Sequence, residues 1–340
     1  FKTQVVSAIV GLVAMFVAAH TDYHRLRVPG IYRPLVAFSL LLLVLVLIPG
    51  LGVNVYGAQR WLRIFTFQFQ PSELAKFAVI VLLAVKLTER QDQIRSFWKG
   101  FLPPVFLASC FAALILLEKD LGMPVVIMTV AFVMIFAAGC HWAYVVSSIF
   151  PAILGVLVLS VTSPHRLRRL FAFWDKWEYR DNESYQLIQA LAAFSRGGIF
   201  GRGPGASEQK LDYLPAAHTD FIFAIWSEEM GLIGSLVLVG LYVALLIVAI
   251  RVAMYARDLF GTLLATGIIT LITFQAAFIM AVTTGLLPTK GLPLPFVSYG
   301  GTALIIFLGL MGILINVGRQ AQAPEEDESF TRRWALARSH

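Results

Sequence analysis

The chain has 340 residues, of which 58% are apolar and only 14% charged, with a mean hydropathy of +0.77. A soluble domain carries about 25% charged residues, so the composition excludes an ordinary water-soluble protein and puts most of the chain in a bilayer. The net charge of +7 is spread over connecting segments rather than gathered in one basic domain, which favours anionic head groups or an anionic substrate over nucleic acid.

A membrane-spanning helix needs about 20 mostly apolar residues. Such runs fall near 4–19, 34–49, 72–88, 101–117, 122–139, 142–161, 219–250, 261–285 and 300–317, which predicts an all-α polytopic membrane protein with nine spans in this sequence. No cleavable leader is visible, and Phe1 already opens an apolar run. Residues 1–318 read as one multi-span membrane domain, and residues 319–340, with Glu325, Glu326, Asp327 and Glu328, as an acidic disordered tail.

The first connection, 20–33, carries Arg25, Arg27 and Arg33. The next, 50–71, carries Arg60 and Trp61, the latter an aromatic suited to anchoring at the interface. Glu73 and Lys76 then open a span at i, i+3 spacing and share a face. A functional pair and a bland one, with Glu73 at a helix N-terminus and Lys76 snorkelling outward, are equally compatible. Lys86, Arg90, Arg95 and Lys99 mark 86–99 as a second basic connection. Cys110 and Cys140 fit no zinc or redox spacing and read as packing residues. Glu118, Lys119 and Asp120 form a tight charged turn.

The segment 162–218 interleaves cations such as Arg166, Arg168, Arg169, Arg202 and Lys210 with Phe171, Phe173, Trp174 and Trp177. That pattern predicts amphipathic stretches lying in the interface and suits a phosphorylated lipid. Gly201-Arg202-Gly203-Pro204-Gly205 is a turn whose backbone N–H groups suit a phosphate, although a plain flexible turn has the same composition. His218-Thr219-Asp220 stands at the mouth of the 219–250 run. A half-desolvated aspartate there has a raised pKa and makes a better base; His218 reads as a hydrogen-bond donor. Glu228, Glu229, Gly231 and Gly234 predict a bend inside that run. Arg251 and Arg257 make 251–257 basic. The segment 286–300 holds Lys290, Ser298 and three prolines, so it cannot be a regular helix. Yet it is apolar, and irregular backbone at membrane depth must be buried by protein or line a wet cavity.

The basic connections alternate. The positive-inside rule therefore places 20–33, 86–99, 251–257 and the tail in the cytoplasm, and 50–71, 118–121, 162–218 and 286–299 outside, with the N-terminus outside.

Three long strings carry a resemblance. Gly57-Ala58-Gln59-Arg60-Trp61 with Phe69-Gln70-Pro71-Ser72-Glu73-Leu74-Ala75-Lys76 is the first. Gln209-Lys210-Leu211-Asp212-Tyr213-Leu214-Pro215 with His218-Thr219-Asp220-Phe221-Ile222-Phe223-Ala224 is the second. The third runs from Leu287-Pro288-Thr289-Lys290-Gly291 to Pro295-Phe296-Val297-Ser298-Tyr299-Gly300-Gly301. In this order they resemble the shape, elongation, division and sporulation (SEDS) family over essentially the whole chain, and its division branch (FtsW, with SpoVE) more than the RodA branch. The family has ten helices, so the first is expected to be missing from this sequence. Ala216 stands where the family usually has Glu, and Lys119-Asp120-Leu121-Gly122-Met123 where it usually has Pro-Asp-Leu-Gly-Thr.

The resemblance implies a peptidoglycan glycosyltransferase of the bacterial inner membrane, acting at the division septum with its active site outside. Its substrate would be lipid II, released product undecaprenyl pyrophosphate, and partners a class B penicillin-binding transpeptidase and other divisome proteins. Asp220 would be the general base for the acceptor hydroxyl. Arg60, Trp61, Glu73, Lys76, Asp120, Arg202, Lys210, His218, Lys290 and Ser298 would bind substrate, the cations among them opposing the charge of the leaving pyrophosphate. A divalent cation is compatible with that role, but the sequence shows no metal-ligand cluster. Two rivals remain: a lipid II flippase, which needs charged groups reachable from both sides, and a noncatalytic scaffold activating a transpeptidase, which needs no acid at Asp220.

Overall fold

The computed structural model describes residues 2–55, 58–64, 67–161, 164–175, 178–179, 184–209 and 218–321. The chain is helical: α1 (Lys2–His20), α2 (Pro29–Leu47), α3 (Pro71–Glu89), α4 (Leu102–Leu117), α5 (Gly122–Ala137), α6 (Trp142–Val161), α7 (Pro164–Trp174), α8 (Tyr185–Gly197), α9 (Ile222–Met254), α10 (Leu259–Thr283) and α11 (Gly301–Gln320). Each apolar run became a long helix. Among the described residues, six helices are long and apolar enough to cross a membrane: α1, α2, α4 with its lead-in from Phe97, α9, α10 and α11. α5 is apolar but shorter. α3 has the length, yet it carries Glu73, Lys76, Lys86 and Glu89. The chain is thus an all-α polytopic membrane protein.

One element was absent from the sequence reading. The connection 50–71 folds into a three-stranded antiparallel sheet, β1 (Gly52–Val55), β2 (Ala58–Ile64) and β3 (Phe67–Phe69), in the order β1-β2-β3. Leu62 pairs with Phe69, so the sheet delivers the chain directly to Pro71 at the first turn of α3, where a missing N–H costs nothing.

α3, α5 and α10 form the centre. Nearly every residue of α3 from Pro71 to Leu87 is buried. A Cβ at Gly267 of α10 would stand 2.8 Å from Ile80 of α3 and from Met134 of α5, so a glycine there sets how closely the three helices approach. α1 lies outside this core against α11, with Gly312 backed onto the Met15 carbonyl. Cys140 is buried, but Cys110 is exposed, which corrects its reading as a packing residue.

The connections sort to two ends. At one end Tyr23, after α1, donates to Asp258 Oδ1 before α10 (2.7 Å), and its N–H donates to Asn316 of α11. The basic connections gather there, with Lys86 of α3 over the Tyr32 ring of α2. The opposite end holds the sheet, the α4–α5 turn, Asp220 and the segment between α10 and α11.

α9 breaks at Gly231, with φ 67° and ψ −166°, a conformation that glycine tolerates. The Leu232 and Ile233 N–H groups donate to Gly198 and Ile199, while the Glu228 and Glu229 carbonyls accept from Arg202 and Gly203. The segment between α10 and α11 is non-helical and partly buried: Leu292, Leu294 and Ser298 are buried while Leu286 and Tyr299 are exposed, Gln275 donates to the Pro293 carbonyl (2.7 Å), and Tyr242 to that of Pro295 (2.5 Å).

Candidate functional site

Asp220 sits two residues before α9, half-buried, with its carboxylate against Gly291. Ser298 anchors this junction: its hydroxyl donates to the Thr219 carbonyl (2.5 Å) and accepts from the Leu294 N–H (2.7 Å). Tyr299 N–H donates to the His218 carbonyl, while the His218 side chain is exposed. Burial pushes the Asp220 carboxyl up to about 6, and the negative charge of Asp120 adds to the effect; Arg60, the Thr219 hydroxyl and Arg169 pull the other way. Asp220 is therefore largely ionised at neutral pH yet basic enough to take a proton.

Arg60 reaches from β2 across to the α4–α5 turn. Its guanidinium donates to the Lys119 carbonyl at 2.8 Å and the Glu118 carbonyl at 3.5 Å, and pairs with Asp120 Oδ2 at 3.4 Å. The turn is tight enough to put Lys119 at φ 62°. The other Asp120 oxygen accepts from the Gly122 and Met123 N–H groups at the start of α5, so the carboxylate is held from both sides. Glu118, read from sequence as an ordinary turn residue, is only 2% exposed, and neither carboxylate oxygen has a hydrogen-bond partner among the described residues. Burial, then repulsion by Asp120, raises its pKa to about 8 against the pull of Arg60.

Lys76 does not snorkel. It is fully buried, pairs with Glu73 at 2.8 Å, donates to Gln275 Oε1 at 2.9 Å and lies over the Phe307 ring. Through Gln275 it is linked to Pro293 and so to the segment that carries Lys290 and Gly291. Trp61 lies half-buried opposite Val53 in the sheet, one residue from Arg60.

Arg202 is held elsewhere. It pairs with Glu208 at 2.7 Å and approaches the buried Glu228 at 3.8 Å. Glu228 also accepts from the Ser207 hydroxyl and the Gln209 N–H, which gives this carboxylate the partners that burial demands. Lys210 and Ala216 lie outside the described residues. Thus the structure brings Asp220, Asp120, Arg60 and the Lys290–Gly291 corner together, attaches Glu73 and Lys76 beneath them through Gln275, and commits Arg202 to a separate cluster. Arg169, one of many cations in its segment, was not singled out by sequence. Among the described residues no group of three or more His, Cys, Asp or Glu side chains is arranged to hold a metal ion. The arrangement suits proton abstraction by a half-desolvated carboxylate with cations beside it.

Comparison with known proteins identifies the family. The profile of the cell cycle protein family of FtsW, RodA and SpoVE matches residues 1–323. A probable peptidoglycan glycosyltransferase FtsW from a Geobacter species is 44% identical over 316 residues, 93% of this chain and 86% of that one. Stage V sporulation protein E of Bacillus subtilis is 40% identical over 321 residues, 94% of this chain and 87% of its own. Among solved structures, one described as a peptidoglycan synthase complex coordinating polymerization and crosslinking superposes with a TM-score of 0.78 at 31% identity, covering 94% of this chain and 89% of that one. The rod shape determining protein RodA of Thermus thermophilus superposes with a TM-score of 0.69 at 30% identity, covering 95% and 88%. With its profile matched almost end to end and such relatives across nine-tenths of its length, the chain belongs to the FtsW/RodA/SpoVE family.

Proposed function

We propose that this protein is a peptidoglycan glycosyltransferase that polymerises lipid II at the outer face of the bacterial inner membrane, with Asp220 as general base. The observation that carries the reading is the Asp220 carboxylate itself: half-buried, raised to about 6, seated on Gly291 and flanked by Asp120 and Arg60. The acceptor 4-hydroxyl oxygen forms the new bond to the donor's anomeric carbon and gives its proton to Asp220. The bond from that carbon to the pyrophosphate oxygen breaks, and its electron pair leaves with undecaprenyl pyrophosphate. Lys290, the residue before Gly291, supplies the cation that opposes the departing charge in this reading. Arg60 and Lys76 act from within the protein by holding Asp120 and Gln275.

Nine crossings suit the nine helices formed by the apolar runs, with α3, α5 and α6 joining the six that are both long and apolar enough to span. The basic connections then face the cytoplasm, and residues 162–218, with α7 and α8, form the large outer loop of a single domain that ends near residue 318. A class B penicillin-binding transpeptidase, other divisome proteins and a septal location follow the division-branch resemblance. The test is incubation of purified protein with lipid II, with and without the transpeptidase, and separation of products by gel. Glycan polymer is expected. Its absence with Asp220 intact, in the presence of the partner, would favour lipid transport or scaffolding.

A further inference from the structure

The connection between α3 and α4 carries Arg90, Arg95 and Lys99 against one acid, Asp92, and the chemistry at Asp220 uses none of them. It is a folded surface rather than a loose loop. Its inward side chains are Ile94 and Phe101, both buried, with Phe97 set edge-on to Tyr144 of α6 at 5.3 Å. Residues Phe97–Phe101 form one π turn, and the Gly100 and Phe101 N–H groups both donate to the Ser96 carbonyl. A Cβ on Gly100 would stand 2.4 Å from the Gln93 and Ile94 carbonyl oxygens, so this turn lies hard against the stretch before it. Gln91 donates to the Ala138 carbonyl at the end of α5 (3.2 Å), which ties this connection to the one between α5 and α6. Arg95, Trp98 and Lys99 are left exposed, Trp98 at 74%, and so is Trp142 on the neighbouring connection, at 63%. Among the described residues, neither Arg95 nor Lys99 pairs with a carboxylate.

We propose that this corner is a binding site for the head group of an anionic phospholipid, with Arg95 and Lys99 on the phosphate and the two indoles beside the glycerol. It is independent of the reading of Asp220, which lies at the opposite end of the bundle. Three arguments carry it. The two cations flank an exposed indole at the start of the apolar span Phe97–Leu117, the level at which lipid phosphates lie. A second exposed indole, Trp142, opens the next apolar helix on the connection tied to this one, so the corner offers two amphipathic rings of the kind that favour the head-group layer. And the π turn and the bond from Gln91 hold the backbone already, so a bound head group pays little for ordering it.

The test uses the whole protein in detergent micelles, titrated with phosphatidylglycerol brominated on its acyl chains and followed by quenching of tryptophan fluorescence. Brominated phosphatidylcholine is the neutral control, and soluble glycerol phosphate tests whether a phosphate alone suffices. The part of the quenching lost in Trp98→Phe reports this corner. Arg95→Gln and Lys99→Gln are each expected to weaken phosphatidylglycerol binding about 5-fold, and the double variant on the order of 25-fold. Phosphatidylcholine should bind more weakly and ignore these variants, and glycerol phosphate should displace little lipid. Arg25→Gln/Arg27→Gln neutralises two exposed cations of the connection held against α10 and α11, and should leave the affinity within about twofold of the wild type. Equal affinity for the two lipids would overturn the assignment and leave the corner to a protein partner. Equal losses in the Arg25/Arg27 and Arg95/Lys99 variants would also overturn it, since they would mean diffuse attraction to the basic end. So would quenching that Trp98→Phe does not change. If the double variant fails to fold, the two single variants decide by the same comparison.

Discussion

The Asp220 carboxylate rests on Gly291: a Cβ placed on that glycine would stand 2.6 Å from Asp220 Oδ2. The carboxylate is thus positioned by the absence of a side chain on a segment 71 residues away. Gly291→Ala should displace the carboxylate, and a misplacement of about 1 Å at a reacting group can cost on the order of 10²-fold. The expected result is loss of most polymerisation with a melting temperature near the wild type. Wild-type turnover would show that Asp220 has room to move without consequence.

Asp220→Asn should abolish visible polymer while the protein still folds and binds its partner. The amide keeps the size but cannot accept the proton, and loss of general-base catalysis typically costs about 10²–10⁴-fold. More lipid II should not rescue it. An Asn variant that polymerises normally would remove the base assignment.

The wild-type pH profile should show an acid limb near pH 6, activity rising as Asp220 loses its proton. Asp120→Asn removes a repelling charge and should move the limb to lower pH. Arg60→Ala removes an attracting one and should move it higher. Initial rates from pH 5 to 8 check both, and shifts in the same direction would mean that neither residue acts through Asp220.

Glu118 gives a stability prediction of definite sign. Its folded pKa of about 8 lies above its ordinary value of 4.5. Between these values the folded protein holds a proton that the unfolded chain has released, so this residue's contribution to stability falls as pH rises through that window. Glu118→Gln should raise the apparent melting temperature little at pH 5 and progressively more up to pH 8.5. A difference that does not change with pH would place the titration elsewhere.

Lys76→Met leaves Glu73 buried without its partner and should destabilise the protein by about 3–5 kcal/mol. The double variant Glu73→Gln/Lys76→Met should recover much of that, as measured by thermal unfolding in detergent. Failure to recover would mean that the pair has a role beyond mutual compensation.

The helices were legible in the sequence because an apolar run of sufficient length has few alternatives in a bilayer. Local chemistry also revealed the break at Gly231 and the irregular 286–300 segment, since glycine and proline restrict the backbone wherever they stand. The sheet at 52–69 was not legible: its strands are as short as three residues, with no sustained alternation to count. Nor was the commitment of Arg60 to the Glu118–Asp120 turn, because it depends on two connections 58 residues apart meeting at one end of the bundle. The sequence marked Arg202 and Lys76 as cations near a site, but only packing revealed that each is already matched to a carboxylate.

The break in α9 removes two rungs from the helical ladder, and all four backbone groups left over find partners in residues 198–203. A short segment outside the helix therefore completes it. The direction in which the second half of α9 leaves the first is encoded in that segment as much as in α9. Substitutions at Gly198, Gly201 or Gly203 would redirect a helix to which none of them belongs, and the amides of Arg202, Gly203, Leu232 and Ile233 would lose their deuterium protection together.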